Sequence, residues 1–500
     1  MTEVKSMKLF NAIGAGGGRR TRGRRQAGAA ALALFFCLVS CSVGPDYVKP
    51  GAPMQETFKE MEGWKKAEPK EDLLRGKWWE IFGNPELSAL EEQVNITNQN
   101  VAAAEANFRQ AVALVQVARA AYFPTASISP AATRLYRSTG SAISASAAGT
   151  TIAPTVNIYS APGSASWVPD LWGLVRRTVE SSRASAQASA ATLEGVRLSA
   201  QGQLAQDYFQ LRTLDAQKAL LHETVEAYRK SLELTQNRYK GGVASRGDVL
   251  QAETQLKTTI AQEIDVGVQR AQMEHAVALL MGRPPAAFSL PFSPLSVAPP
   301  AIPVGVPSVM LERRPDVAAA ERNMAAANAQ IGVAIAAWYP TLTLGAAAGF
   351  LSTLQSQWFT WPMRFWSVGP SVSQLVYDGG LRKAKTAQAR AAYESTVATY
   401  RQTVLTAFQE VEDALAALRI LEQEADAQAQ AVTAAEQSLA VITNQYRQGT
   451  VAYLNVIVAQ TTVLSNKITA LSILGRRMTA AVLLIEALGG GWDAADLPKM

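Results

Sequence analysis

The sequence predicts a mainly α fold that carries a β-barrel segment, written as two copies of one pattern of long coiled-coil helices. Three observations lead there. Proline divides the chain into blocks: none falls in 86–123, 171–283, 316–339 or 371–496, and an interior proline costs a helix about 3 kcal/mol. Motifs repeat: Ala121-Tyr122-Phe123-Pro124-Thr125 returns as Ala337-Trp338-Tyr339-Pro340-Thr341, 216 residues on, and Asn237, Tyr239 and Gly242 return as Asn444, Tyr446 and Gly449, 207 residues on. Apolar residues recur at every seventh position through Val404, Val411, Leu418, Ala425, Val432, Leu439 and Tyr446. A fixed internal shift marks a duplication, and a sustained seven-residue period imposes left-handed supercoiling.

The first 40 residues read as an export signal. Arg19 to Arg25 form a basic region and Ala27 to Val39 an apolar run of 13 residues, too short to span a bilayer that takes roughly 20 helical residues. Leu38-Val39-Ser40-Cys41 resembles a bacterial lipobox. That resemblance implies cleavage after Ser40, a diacylglycerol thioether on Cys41 and acylation of the new amino group. Ser42 follows the cysteine where an inner-membrane lipoprotein often has Asp, which favours the outer membrane. Cys37 leaves with the signal, so no internal disulfide is possible in the mature chain.

Charge excludes one large class of partner. The chain carries +6 overall, but seven of its 47 basic residues and one of its 41 acidic residues lie in Met1 to Ser40. The remainder holds 40 of each and is neutral. A neutral chain has no electrostatic footprint for nucleic acid.

The helical blocks come in order. In the first copy the expected helices are 86–123, 171–238 and 249–281; in the second they are 316–339, 379–447 and 453–488. The first copy's seam runs through Leu204, Leu211, Lys218, Val225, Leu232 and Tyr239, with Lys218 out of character. The last block pairs Leu454/Ile457, Thr461/Leu464, Ile468/Leu471, Gly475/Met478 and Val482/Ile485. At 1.5 Å per residue the long helices measure about 100 Å, and the two short helices of each copy sum to nearly that. Each half then reads as one long helix beside two short coaxial ones, a wall element of a hollow cylinder. Between the copies lies a linker, Pro284 to Pro307, with eight prolines in 24 residues. The expected organisation is a signal (1–40), a lipidated N-terminal segment (41–85), a first repeat (86–283), the linker (284–312), a second repeat (313–488) and a tail (489–500).

The extended regions read as strands. Thr341-Leu342-Thr343-Leu344, Trp366-Ser367-Val368 and Ser371-Val372-Ser373 alternate, as does Thr125 to Ser129, with Val156 to Tyr159 a fainter partner. Trp167, Trp358, Trp361 and Trp366 fall near the expected strand ends, as aromatic girdles do. Four strands cannot close a barrel, and lipid tolerates no open edge. Two copies would make eight strands, whose interior fills with side chains; three would make twelve, with a lumen.

These pieces together resemble the TolC-like outer-membrane factor family, in its NodT-type branch of efflux lipoproteins. The matching residues are Cys41 followed by Gly44-Pro45-Asp46-Tyr47-Val48-Lys49-Pro50, Trp78-Trp79 with Phe82, Asn84, Pro85 and Leu87, the two strand starts ending Pro-Thr, Asp378-Gly379-Gly380, and the turns Arg238-Tyr239…Gly242 and Gln445-Tyr446…Gly449. The resemblance implies a homotrimer whose three copies each give four strands to a twelve-stranded outer-membrane barrel, and a helical tunnel through the periplasm. It implies a periplasmic adaptor (membrane-fusion) protein and an inner-membrane transporter, of the resistance-nodulation-division type, as partners. It also implies outer-membrane lipid as a surround and no cofactor. By the same carry-over the docking turns are Gly242-Val243-Ala244-Ser245, with Asp248, and Gly449-Thr450-Val451-Ala452, with Leu454. One departure stands out: relatives often carry charged residues a turn into the last helix that help close the tip, where this chain has Val458 and Thr461.

Catalytic chemistry finds no place in the sequence. His222 and His275 are the only histidines, and the mature chain keeps one cysteine, so a zinc site of the usual ligand types is implausible. Gly14 to Gly18 has the composition of a phosphate loop but lies in the signal and lacks the Lys-Ser ending. The expected function is that of a passive outer-membrane duct in a tripartite efflux system. Two alternatives are the outer-membrane component of a protein-secreting type I system and a periplasmic coiled-coil adaptor lipoprotein. An adaptor would hold a single helical hairpin, where this chain has two.

Overall fold

The computed structural model describes residues 43–51, 58–60, 76–136, 155–300, 302 and 313–500. Ser40 and Cys41 lie outside them. The elements follow in order: α1 (Pro85–Thr97), α2 (Gln99–Ala120), β1 (Thr125–Ile128), β2 (Ala131–Tyr136), β3 (Thr155–Trp167), α3 (Leu174–Lys240), α4 (Arg246–Leu280), α5 (Pro315–Ala336), β4 (Thr341–Ser352), β5 (Arg364–Ser373), α6 (Leu381–Arg447) and α7 (Tyr453–Ala487).

The duplication is visible in these lengths. α2 and α5 each have 22 residues, α3 and α6 each 67, and α4 and α7 each 35. Starts of α2 and α5 differ by 216 residues, while starts of α3 and α6, and of α4 and α7, differ by 207. The nine residues are lost between the start of the first strand and the start of the long helix, where the chain is extended and its connections vary. The corresponding long helices are capped alike. Asp170 accepts from the backbone N–H of Val175 and Arg176, and Asp378 accepts from those of Gly380 and Arg382, satisfying donors that a helix start leaves orphaned.

The first helical block is two helices, not the one expected over 86–123. Asn98 breaks it. Its side chain accepts from the N–H of Asn100 and Val101 and donates to the carbonyl of Leu280. The residue is buried with an extended backbone. A buried Asn that caps a new helix and ties it to the end of α4 outweighs continuous helix, and proline spacing carries no trace of it.

The chain forms two spatial units that cut across the sequence copies. One draws its described residues from Met1–Pro45, Ala120–Thr178 and Gly332–Lys385 and holds the sheet; the other holds Asp46–Arg119, Val179–Ile331 and Thr386–Met500 and is helical.

The helical unit has a continuous apolar core. Trp78, Trp79 and Phe82 on a single 3-10 turn, with Leu87 and Val94 of α1, pack with Tyr208, Phe209 and Leu211 of α3, Val404, Phe408 and Val411 of α6, and Val482 and Ile485 of α7. In α6 the seven-residue seam is realised: Val404, Val411, Leu418 and Tyr446 are buried and Ala425, Val432 and Leu439 half-buried. In α7 it slips near the start, where Leu454 and Thr461 are exposed and Tyr453, Val456, Ala459 and Val463 are buried instead. A buried polar network pins the first part of the linker. Asp215 pairs with Arg212 at 2.9 Å and Arg270 at 2.6 Å and accepts from the N–H of Ser293, while the two arginines donate to the carbonyls of Pro291 and Leu290. By contrast, Glu91 is fully buried with neither carboxyl oxygen hydrogen-bonded. Burial pushes its pKa up to about 9, so the group is neutral at pH 7.

The sheet is antiparallel, ordered β1-β3-β4-β5, with β2 also on β3. β1 and β2 share one register on β3, from Thr125 opposite Ser166 to Tyr136 opposite Thr155, and are one strand interrupted at Ser129-Pro130. The five segments are thus four staves, as the alternation suggested. β3 is far longer than the expected 156–159, because Ser160-Ala161-Pro162-Gly163 continues the ladder. Pro162 has no N–H to donate, but its carbonyl accepts from Ser129. Gly349 of β4 lies opposite; a Cβ there would fall 2.3 Å from the Ala161 carbonyl oxygen, so only glycine lets the strands pair past the proline.

Candidate channel wall and helical tips

The register of the sheet sorts its side chains onto two unlike faces, since residues directly opposite share a face and successive residues alternate. One face carries Ala126 and Ile128 of β1, Gly163, Ala165 and Trp167 of β3, Leu342, Leu344, Ala346, Ala348 and Phe350 of β4, and Trp366, Val368, Pro370 and Val372 of β5. Over the same stretch the other carries Thr125, Ser127, Ser164, Ser166, Thr343, Ser367, Ser371 and Ser373; toward the β4–β5 connection the sorting breaks down, with Arg134, Asn157 and Arg364 on the first face and Leu135, Val156, Ile158, Leu351 and Phe365 on the second. Ser127 and Ser164 hydrogen-bond across it at 2.9 Å. On the apolar face Ile128, Leu344, Trp366, Val368 and Val372 are exposed. A sheet in water buries such a face. This one suits lipid on one side and water on the other. Both edges, β1/β2 and β5, lack a neighbouring strand among the described residues.

The four tryptophans do not gather at one place. Trp167 ends β3 and donates to the carbonyl of Tyr122 at the helix-proximal end of the sheet. Trp358 and Trp361 lie in the β4–β5 connection at the other end, and Trp366 is the third residue of β5. Trp358 stacks on Phe359 and sits 5.4 Å from Tyr159, and Arg364 lies over Trp361 at 4.0 Å. At the helix-proximal end Trp167 is joined by Trp172, stacked on Tyr339 at 4.9 Å, and by Trp338 under Arg382. The sequence reading missed Trp172, Trp338 and Tyr339. For Trp338 and Tyr339 the signal was the Tyr/Phe-Pro-Thr motif itself, which puts aromatic residues where a helix turns into a strand; Trp172, where a strand turns into a helix, lies outside it.

The tips are built by glycine turns. Gly242 (φ 75°) and Gly449 (φ 78°) are left-handed, a region that residues with a Cβ resist. Val243 and Ala244 donate to the carbonyl of Arg238, and Thr450 donates to that of Gln445. A Cβ on either glycine would meet open space. The α4 turn closes with a capping box, in which Asp248 accepts from the Ser245 N–H and the Ser245 hydroxyl oxygen accepts from the Asp248 N–H. The carboxylate of Asp248 is therefore engaged at its own helix start. The second turn has Ala452 at that place and no side-chain cap. Val243, Thr450, Leu454 and Val458 are exposed, and Val451 is half-buried.

The two tips differ below the turns. Tyr446 is 6% exposed and its counterpart Tyr239 is 46% exposed, so the first copy's seam ends before Tyr239 rather than at it. Tyr446 packs with Tyr453, Val456 and Ala252. Arg238 covers its ring at 4.7 Å and donates to the carbonyl of Arg447, and Ser231 hydrogen-bonds the Tyr453 hydroxyl at 3.0 Å. Gln255 of α4 donates to Thr461 of α7. The tip regions of the copies are thus clasped by neutral and cation–π contacts, with Thr461 taking part and Val458 left exposed.

Comparison with known proteins agrees with this geometry. The family model described as outer membrane efflux protein matches residues 90–283 and 306–490. Nodulation protein T of Rhizobium leguminosarum bv. viciae is 30% identical over 468 residues, covering 93% of this chain and 94% of that protein. A toluene efflux pump outer membrane protein, TtgC, of Pseudomonas putida is 29% identical over 91% of this chain and 94% of its own length. Among solved structures, the outer-membrane channel OprN superposes with a TM-score of 0.83 at 28% identity, over 90% of this chain and 100% of that one. A sheet whose edges stay open among the described residues, duplicated helices of matched length and a family match over most of the chain leave one conclusion: the chain belongs to the outer membrane efflux protein family, as an outer-membrane channel component and not an enzyme.

Proposed function

We propose that three copies of the chain close their sheets into one twelve-stranded barrel across the outer membrane, and that the assembly is the passive exit duct of a tripartite pump. The observation that carries the barrel is the sheet, with one apolar and one polar face toward its helix-proximal end and two edges that pair with no strand among the described residues. Such edges are not tolerated in lipid until they meet another strand. Four staves per copy make a lumen only on closure with further copies. The girdle residues Trp167, Trp358, Trp361 and Trp366 would then mark the two head-group levels.

In this reading the turns at Gly242-Val243-Ala244-Ser245 and Gly449-Thr450-Val451, with Leu454, meet a periplasmic adaptor that couples the duct to an inner-membrane transporter. Their exposed apolar side chains, Val243 and Leu454, are what such a partner would cover. The relatives named for toluene and antibiotic efflux favour small, largely apolar molecules as cargo. The duct does no chemistry on them; energy enters at the inner membrane. Crosslinking of detergent-purified protein tests the assembly, with a ladder ending at trimer expected and one ending at dimer overturning the twelve-strand reading. Bilayer conductance of the same preparation tests the lumen.

A further inference from the structure

The first described residues of the chain are held to the helix-proximal end of the sheet by an unusual set of contacts. Val43 donates its N–H to the carbonyl of Trp172 at 3.3 Å. Arg177, only 4% exposed, donates from Nε to the carbonyl of Val43 at 3.4 Å and from Nη2 to that of Gly44 at 3.3 Å. Gly44 (φ 102°) rests on Gly332 of α5, where a Cβ on Gly44 would fall 2.5 Å from the Gly332 Cα. A Cβ on Gly332 would in turn fall 2.8 Å from the Arg177 Cγ. Trp172, which receives Val43, donates from its indole to the carbonyl of Pro340 at 2.7 Å and stacks on Tyr339. Pro340 is the residue before β4.

The buried guanidinium of Arg177 directs two of its donors at main-chain carbonyls of this segment, alongside its other contacts. What the arrangement does achieve is a fixed address for the chain just after Cys41. One residue, Ser42, separates Cys41 from Val43, a reach of at most about 7 Å.

We infer that Arg177, Gly44 and Gly332 form a clamp that sets where the lipid anchor enters the membrane: beside the Trp172–Tyr339 pair at the foot of β4, in the leaflet that the strand ends enter. The inference rests on the reading of Cys41 as the lipid-bearing residue. Aromatic rings with polar tips settle at head-group level, so the clamp and the acyl chains would act at one depth. A short, fixed tether also makes strand insertion an intramolecular event with a high effective concentration, and a loose tether lowers it. Arg177 is in this sense a positioning residue for the anchor and does not touch the lipid chemistry.

The test is a pulse-chase of four full-length exported chains: the parent, Arg177→Met, Cys41→Ala and the double variant. The readouts are palmitate incorporation and the rate at which the new chain gains protease resistance in the envelope fraction. Arg177→Met is expected to keep its palmitate and its final protease-resistant yield but to mature roughly tenfold more slowly, because the segment after Cys41 loses the side chain that holds its two carbonyls. Cys41→Ala is expected to mature slowly too, and the double variant no more slowly than Cys41→Ala alone. If Arg177→Met slows maturation by the same factor with and without Cys41, the clamp serves structure only and the inference falls. Parental maturation rate in Arg177→Met overturns it as well. Absence of palmitate from the parent chain overturns the Cys41 reading itself, whatever the rates. Should Arg177→Met fail to fold, Gly332→Ala takes its place, because it favours the helix locally while displacing the Arg177 stem, and the same dependence on Cys41 must appear.

Discussion

The guanidinium of Arg238 lies 4.7 Å from the ring centroid of Tyr446 and donates to the carbonyl of Arg447 at 3.2 Å. The last turn of α3 is thereby bound to the last turn of α6, one sequence copy to the other.

Arg238→Ala should loosen this clasp without unfolding the helices. A cation–π contact contributes about 0.5–2 kcal/mol and a hydrogen bond from a charged donor about 1.5–3 kcal/mol in favourable cases. Amide hydrogen exchange at 444–452 should accelerate roughly tenfold or more, while exchange in the core around Val411 stays as in the parent. Equal exchange at the tip would show that the contact contributes nothing measurable.

Gly449→Val tests the docking role of the second turn. The backbone there is left-handed and a side chain would meet open space, so the cost is conformational, about 1–3 kcal/mol, and local. Assembled protein should be recovered at the parental level while compound accumulation in cells rises toward that of a deletion strain. Unchanged accumulation, or loss of assembled protein, would remove the turn from the partner surface.

Glu91 makes stability depend on pH in a stated direction. Its carboxyl titrates at about 9 when folded against an ordinary value of 4.5, so between those limits the folded chain holds a proton that the unfolded chain has lost. Stability therefore falls as pH rises from about 4.5 toward 9, by on the order of 4 kcal/mol up to pH 7.5. Glu91→Leu should raise the melting temperature at pH 8 and flatten its decline between pH 5 and 9. A parental pH profile in that variant would place the pH sensitivity elsewhere.

Gly349→Val should block the pairing of β3 with β4. The new Cβ would lie 2.3 Å from the Ala161 carbonyl oxygen and 2.8 Å from the Pro162 Cα, and both are backbone atoms that cannot turn aside. Loss of protease-resistant envelope protein, with helical circular dichroism largely kept, is the expected outcome. Gly369→Val, at a β5 position with nothing within 4 Å of a new Cβ, is the control and should assemble.

Much of this was legible beforehand because long-range order in the chain is periodic. Seven-residue spacing, proline-free blocks and the shifts of 216 and 207 are properties of the string, and the matched pair of long helices follows from them. The turns at Gly242 and Gly449 were equally legible, as glycine is the residue that takes a positive φ without strain. Asn98 was not, because its effect depends on the carbonyl of Leu280, 182 positions away. The extent of β3 was hidden too: Pro162 reads as a break until Gly349 is seen opposite it.

The sequence by itself determined the duplication, the two long helices with the glycine turns that end them, and the alternation of the strand starts, since each is set by local spacing and backbone sterics. Only the tertiary structure decided which of two equivalent residues is used. Tyr446 is buried beneath Arg238 while Tyr239 faces solvent, and Asp248 is tied to Ser245 while the second turn has no such cap. Equivalent positions in a duplicated chain carry the same local propensity, and what separates them is the neighbour that packing brings to one and not to the other.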